Sequence, residues 1–205
     1  MGSEMCIRDR LSIASEYANF ISTLKNIADE TRRYALFMAW LNSKLEALGV
    51  GRIVITGGFA VELYTGRTYR TMDVDVICDG VKCHEVVEEF LREIGERIAR
   101  GYIPRDEELA LKSIDIVSTS YARKAPPVKI KVNDMHIYIE PPEILIAMYL
   151  AAWKHWNSTE DRDKALWLLI ATREIIDYKL LSEEVKSRNA EDKLNELMKL
   201  IKQRS

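Results

Sequence analysis

Apolar positions recur every three or four residues along the first fifty positions. Ile13, Tyr17, Phe20, Ile21, Leu24 and Ile27 line one such stretch, over 11–28; Tyr34, Phe37, Met38, Leu41, Leu45 and Leu48 line a second, closed by Gly49. This spacing predicts two helices, and glycine is a natural helix stop. Both read as scaffold, with Phe20, Phe37 and Trp40 in the core. The period then changes. Ile53-Val54-Ile55 is a short β-branched run between glycines, which predicts a buried strand over 52–56. Gly57-Gly58 opens a short helix through Phe59, Ala60, Leu63 and Tyr64, and 72–78 reads as a second strand. From His84 to Ala99 the helical period returns, with Val86, Val87, Phe90, Leu91, Ile94 and Ile98 on one side and Glu88, Glu89, Arg92 and Glu96 on the other.

A polar connection over 102–108 leads to a third strand, 110–118, containing Ile114-Asp115-Ile116. Two more strands, 128–132 and 136–140, are joined by Asn133-Asp134, a tight hairpin signal. Pro141-Pro142-Glu143 suits a helix start. Beyond it the pattern is helical: to Trp156, from Asp161 to about Asp177, and through Leu194, Leu197, Met198 and Ile201. The expectation is an α+β chain with a mixed sheet of about five strands, flanking helices and a helical C-terminal region over 141–205. The core with its N-terminal helices would occupy 11–140. Residues 1–10 (MGSEMCIRDR) have neither a signal peptide's apolar centre nor helical periodicity and read as a non-native or disordered leader.

Composition narrows the classes. The chain has 205 residues, 47% hydrophobic and 30% charged, as ordinary globular domains have, with no overall disorder signature. A net charge of −2 gives no global footprint for nucleic acid, so any such surface is local. No apolar run reaches the ~18–20 residues needed to span a bilayer. The three cysteines, Cys6, Cys78 and Cys83, have no metal-site spacing, and a reducing, cytoplasmic setting fits them best.

Candidate chemistry gathers in IVITGGFAVELYTGRTYRTMDVDVIC, residues 53–78. On a strand, residues two apart point the same way, roughly 6.5–7 Å apart along the backbone. Asp73 and Asp75 therefore share a face opposite Val74 and Val76, and carboxylates so placed suit one or two Mg²⁺ ions. Paired acids among valines are costly unless metal or partners compensate. Asp115 offers a third carboxylate if its strand lies beside theirs. Gly57-Gly58 lets backbone approach a phosphate at a helix start, and Arg67 or Arg70 has the charge to cover a nucleotide's β- or γ-phosphate. Taken singly these signals are weak: Asp161-Arg162-Asp163 repeats the acid spacing in a helical, solvated context. Their order along the chain is much more specific.

That order resembles the signature of the nucleotidyltransferase superfamily, the DNA polymerase β-like fold: a glycine pair, two acids one residue apart, and a third acid on a later strand. The likeness spans about 53–116. It is nearest in shape to small AbiEii-type toxin-like members, while aminoglycoside nucleotidyltransferases share a similar run. The resemblance implies that Gly57 and Gly58 hold the triphosphate, that Asp73, Asp75 and Asp115 bind two Mg²⁺ (or Mn²⁺) ions, and that Asp115 is the base for the attacking hydroxyl. Position 58 is often serine in the family; glycine here removes one hydroxyl contact. Pro142-Glu143-Ile144-Leu145 resembles the start of the toxin-like helical region. There a lysine is expected in the first helix and a Lys/Arg-Asp pair at the start of the next. Here Lys154 lies later than expected, and Glu160-Asp161 or Arg162-Asp163 stands in place of the pair.

The reaction implied is transfer of a nucleoside monophosphate from an NTP to a hydroxyl acceptor, an RNA (tRNA) or protein, as by the toxin of a toxin–antitoxin system with its antitoxin as partner. Lys124, Lys129 and Lys131 form a local basic group suited to an RNA backbone, or equally a solvated hairpin face. The alternatives are a small-molecule, antibiotic-type nucleotidyltransferase and a non-catalytic nucleotide- or RNA-binding module on the same fold.

Overall fold

The computed structural model describes the backbone of residues 2–204 and the side chains of residues 13–202. The leader expected over 1–10 lies outside the described side chains. Two compact units are present. One comprises the chain up to Phe59 together with Thr71–Ile139; the other comprises Ala60–Arg70 and the chain from Glu140 onward.

The first unit holds helices α1 (Gly2–Leu24), α2 (Glu30–Ala47) and α4 (Cys83–Ile94). Its strands are β1 (Arg52–Thr56), β2 (Asp73–Asp79), β3 (Gly95–Arg97), β4 (Tyr102–Pro104), β5 (Ser113–Ser118), β6 (Val128–Val132) and β7 (Met135–Ile139). Helix α3 (Gly57–Tyr64) starts in this unit and runs into the other. Local signals set the ends. Asp29 caps α2 by accepting from the Arg32 N–H at 2.8 Å, and Gly49 ends it in the left-handed region, φ 65°. Asn133, at φ 55°, makes the β6–β7 hairpin.

The strands form one mixed sheet in the order β3-β4-β5-β2-β1-β7-β6, with β2/β5 and β1/β7 parallel. Val74, Val76, Ile53 and Ile55 are fully buried on one face. The aromatic core predicted from the helical stripes is present: Phe20 stacks on Trp40 at 4.7 Å, and Tyr17 meets Phe90 edge-on at 5.6 Å.

The sheet has seven strands where about five were expected. The difference lies at 95–104, which reads as helix end and polar loop but pairs as β3–β4. Helix α4 stops at Ile94 because Gly95 turns extended, and a Cβ there would meet the Ile103 carbonyl at 2.8 Å. The Arg105 guanidinium donates to the carbonyls of Glu93 and Gly95, both at 2.8 Å, satisfying acceptors that a longer helix would have used itself.

The second unit is helical: α5 (Pro142–Trp156), α6 (Thr159–Thr172), α7 (Tyr178–Ser187) and α8 (Glu191–Arg204). Pro142 opens α5, and Asn157, left-handed at φ 54°, closes it. Ser158 caps α6 through the Asp161 N–H at 3.2 Å. The helix expected over 161–177 is α6, which ends at Thr172, and α7 is an additional helix, its start capped by Asp177 through the N–H groups of Lys179 and Leu180. No helix among the described residues is long and apolar enough to cross a membrane.

Candidate functional site

Strand register builds an acid row on one face of the sheet. Asp75 pairs with Thr56 of β1 on one side and with Asp115 of β5 on the other, and Asp73 lies opposite Ser113. Tyr102 pairs with Ile114, so Gly101 stands next to Asp115 at the far end of the row. The Asp75 carboxylate lies over Gly57: a Cβ there would be 2.0 Å from Asp75 Oδ2, and Gly57 is left-handed at φ 60°. The Asp115 carboxylate lies over Gly101, where a Cβ would be 2.0 Å from Oδ1. Two neighbouring acids thus lean apart, each into the space a glycine leaves. Asp73 is held separately, its Oδ1 accepting from the Thr71 hydroxyl.

Asp115 is buried, and its Oδ1 has no hydrogen-bond partner. A buried carboxylate oxygen left unsatisfied is costly, so it marks a place where a proton or cation belongs. Among the described residues no three His, Cys, Asp or Glu side chains close on one point. Carboxylate oxygens are the donors that a hard cation such as Mg²⁺ prefers, and one of them, Asp115 Oδ1, has no hydrogen-bond partner.

Gly58 follows Gly57 in α3, in the first unit, and the remaining predicted residues belong to the helical unit. Arg67 and Arg70 lie in the loop after α3, and Arg67 is left-handed at φ 74°, a conformation that non-glycine residues seldom hold. Lys154 donates to the Asn189 carbonyl at 2.6 Å and to Asp192 at 2.8 Å, joining α5 to α8. Lys164, on α6, makes a different set of contacts. It lies over the rings of Tyr69 and Tyr149 at 5.1 and 5.3 Å and pairs with Glu160 at 2.9 Å. Tyr69 donates to Glu160 at 3.1 Å and packs on Trp167. Burial pulls the Lys164 ammonium down, but its bonds to Glu160 and Tyr69 outweigh that and leave it above the ordinary lysine value. Lys164, and after it Tyr69, hold Glu160 below the usual carboxylate range.

Sequence reasoning missed Gly101 and Thr71. Gly101 offered only the weak signal that a lone glycine can mark close backbone approach.

No family model matches the sequence, and no curated protein matches it significantly. Among solved structures, an antigenic nucleotidyltransferase-like protein from Paracoccidioides brasiliensis is similar with a TM-score of 0.53 at 16% identity, over 83% of this chain and 93% of that one. The antibiotic-resistance factor ANT(2″)-Ia also appears. Its solution structure scores 0.49 at 12% identity, over 82% of this chain and 96% of that one. Its complex with adenylyl-2″-tobramycin scores 0.48 at 16% identity, over 78% and 99%. At these identities the likeness concerns fold alone. The fold is nucleotidyltransferase-like, a mixed α+β arrangement with a seven-stranded sheet.

Proposed function

We propose that the protein is a nucleotidyltransferase that moves a nucleoside monophosphate from an NTP to a hydroxyl acceptor. The observation that carries this reading is the Asp75–Asp115 row, with a buried, unpartnered oxygen on Asp115. In the step, the acceptor oxygen bonds to the α-phosphorus, the α–β phosphoanhydride bond breaks and pyrophosphate leaves. The acceptor's proton passes to the Asp115 carboxylate as general base. Asp73, Asp75 and Asp115 would hold two Mg²⁺ ions, which when bound supply charge stabilisation to the attacking and leaving oxygens. Gly57 and Gly58, at the start of α3, receive the triphosphate on backbone N–H groups. Arg67 or Arg70 has the charge to neutralise it.

The acceptor we favour is RNA, with a tRNA 3′ end the first to test and a protein hydroxyl second. The register puts Lys129 and Lys131 on the same sheet face as Asp75, through Tyr138 and Val54, and both lysines are exposed. Such lysines suit a phosphate backbone. An AbiEii-like toxin role, with an antitoxin partner, is the biological setting this chemistry matches.

The test incubates the protein with each NTP labelled at the α-phosphate, Mg²⁺ or Mn²⁺, and tRNA, total protein or aminoglycosides. The expected result is metal-dependent label on RNA that disappears in Asp73→Ala. Label on aminoglycoside alone replaces the RNA acceptor with a small molecule. Nucleotide binding that survives Asp73→Ala, with no transfer to any acceptor, makes the protein a binding module.

A further inference from the structure

The side chain of Lys112 is only 1% exposed, yet it ends in a polar group set against a carboxylate. It sits immediately before β5, and its ammonium is 3.0 Å from Glu30, the first residue of α2. The same ammonium donates to the Thr71 carbonyl and lies 5.7 Å from the Phe59 ring and 6.0 Å from the Tyr34 ring. The Lys112 backbone N–H donates to the Tyr34 hydroxyl at 2.7 Å, and the Ser113 N–H donates to the Met72 carbonyl at 3.0 Å. The entrances to both acid-bearing strands are therefore tied together at one buried point.

Stability does not explain this arrangement. A buried ion pair rarely outperforms an apolar pair of the same volume, because desolvating both charges consumes most of what their attraction returns. Methionine opposite a neutral residue would fill the space without that cost. What the charge does supply is direction. It clamps the Thr71 carbonyl, and the hydroxyl of the same residue is bonded to Asp73 Oδ1.

We propose that Lys112 is a positioning residue of the acid row. Its ammonium fixes the backbone at Thr71, so that the Thr71 hydroxyl holds one oxygen of Asp73 and leaves the other to face a metal ion. This rests on the reading of Asp73 as a metal ligand given above. Groups that orient a ligand in this way typically change metal affinity about 10–100-fold when removed.

The test is Mn²⁺ binding, followed by electron paramagnetic resonance titration in the absence of nucleotide. Four variants are compared with wild type: Thr71→Val, Glu30→Gln, Lys112→Met combined with Glu30→Gln so that no carboxylate is left unpaired, and the triple variant. Urea midpoints are recorded for each. Thr71→Val and the Lys112/Glu30 double variant should each weaken Mn²⁺ binding at least ~10-fold, and the triple variant no further, because the residues act in series. Glu30→Gln alone should bind within about threefold of wild type, since the Lys112 bond to Thr71 remains. Wild-type affinity in the double variant, or losses that multiply in the triple, overturns the proposal. If the double variant does not fold, Thr71→Val decides alone, and wild-type Mn²⁺ affinity there also overturns it. A wild-type protein that binds no Mn²⁺ removes the acid-row reading itself, and this inference with it.

Discussion

Gly57→Ala tests whether the Asp75 carboxylate occupies the space above the glycine turn. Two costs add in this substitution. Alanine at φ 60° carries roughly 1–2 kcal/mol of left-handed strain. Its Cβ would also lie 2.0 Å from Asp75 Oδ2, 2.9 Å from Cγ and 3.0 Å from the Asp75 Cβ, all inside ordinary contact. Forcing a side chain aside in a packed setting costs a further ~1–3 kcal/mol. The second cost belongs to Asp75 and the first does not, so a double-mutant cycle separates them. Urea unfolding followed by tryptophan fluorescence should place Gly57→Ala roughly 2–5 kcal/mol below wild type. In an Asp75→Ala background the same change should cost only the strain, ~1–2 kcal/mol. Equal costs in both backgrounds, to within about 0.5 kcal/mol, would refute the placement of the carboxylate over the turn and the reading of Gly57 that depends on it.

Gly101→Ala should destabilise by ~1–3 kcal/mol and abolish transfer, because its Cβ meets both Asp115 Oδ1 and the Ile114 carbonyl, at 2.0 and 2.4 Å; an unchanged urea midpoint rejects that packing. Arg67→Gly relieves left-handed strain, so stability should hold within about 1 kcal/mol while KM for NTP rises; a clear fall in melting temperature contradicts this. Glu160→Gln tests the Lys164 cluster through pH. Glu160 is held below its ordinary value, so its contribution is present above the unfolded carboxylate value, ~4.3, and fades as pH falls through the folded one. Lys164 is raised, so its contribution is lost as pH rises through its folded value, above the ordinary ~10.4. The stability gap between wild type and Glu160→Gln should therefore be level from about pH 5 to 9 and narrow below about pH 4. A gap unchanged down to pH 3 would count against the pair.

Much of the scaffold could be read from periodicity, because helical stripes and β-branched runs encode local structure directly. Asp29, Gly49 and Asn133 ended elements by their own backbone chemistry. The β3–β4 hairpin escaped because its determinants are distant or backbone-borne: Arg105 caps α4, and Gly95 packs on Ile103. Helix α7 escaped because its start is set by the cap at Asp177, where the helical pattern from Asp161 reads as ending.

The sequence by itself determined which chemistry is available: alternate acids on one strand, a third acid on another, glycines after β1, and arginines between. All of these depend only on residue type and strand or helix period. Tertiary structure alone decided what each acid touches. Parallel pairing of β2 with β5 put Asp115 beside Asp75, with the Asp75 carboxylate over Gly57 and the Asp115 carboxylate over Gly101. It also brought Lys112 to Thr71, 41 residues away in sequence, and Lys164 to Tyr69. Contacts across such separations leave no periodic trace in a single chain, because they are selected by packing and charge once the elements have met.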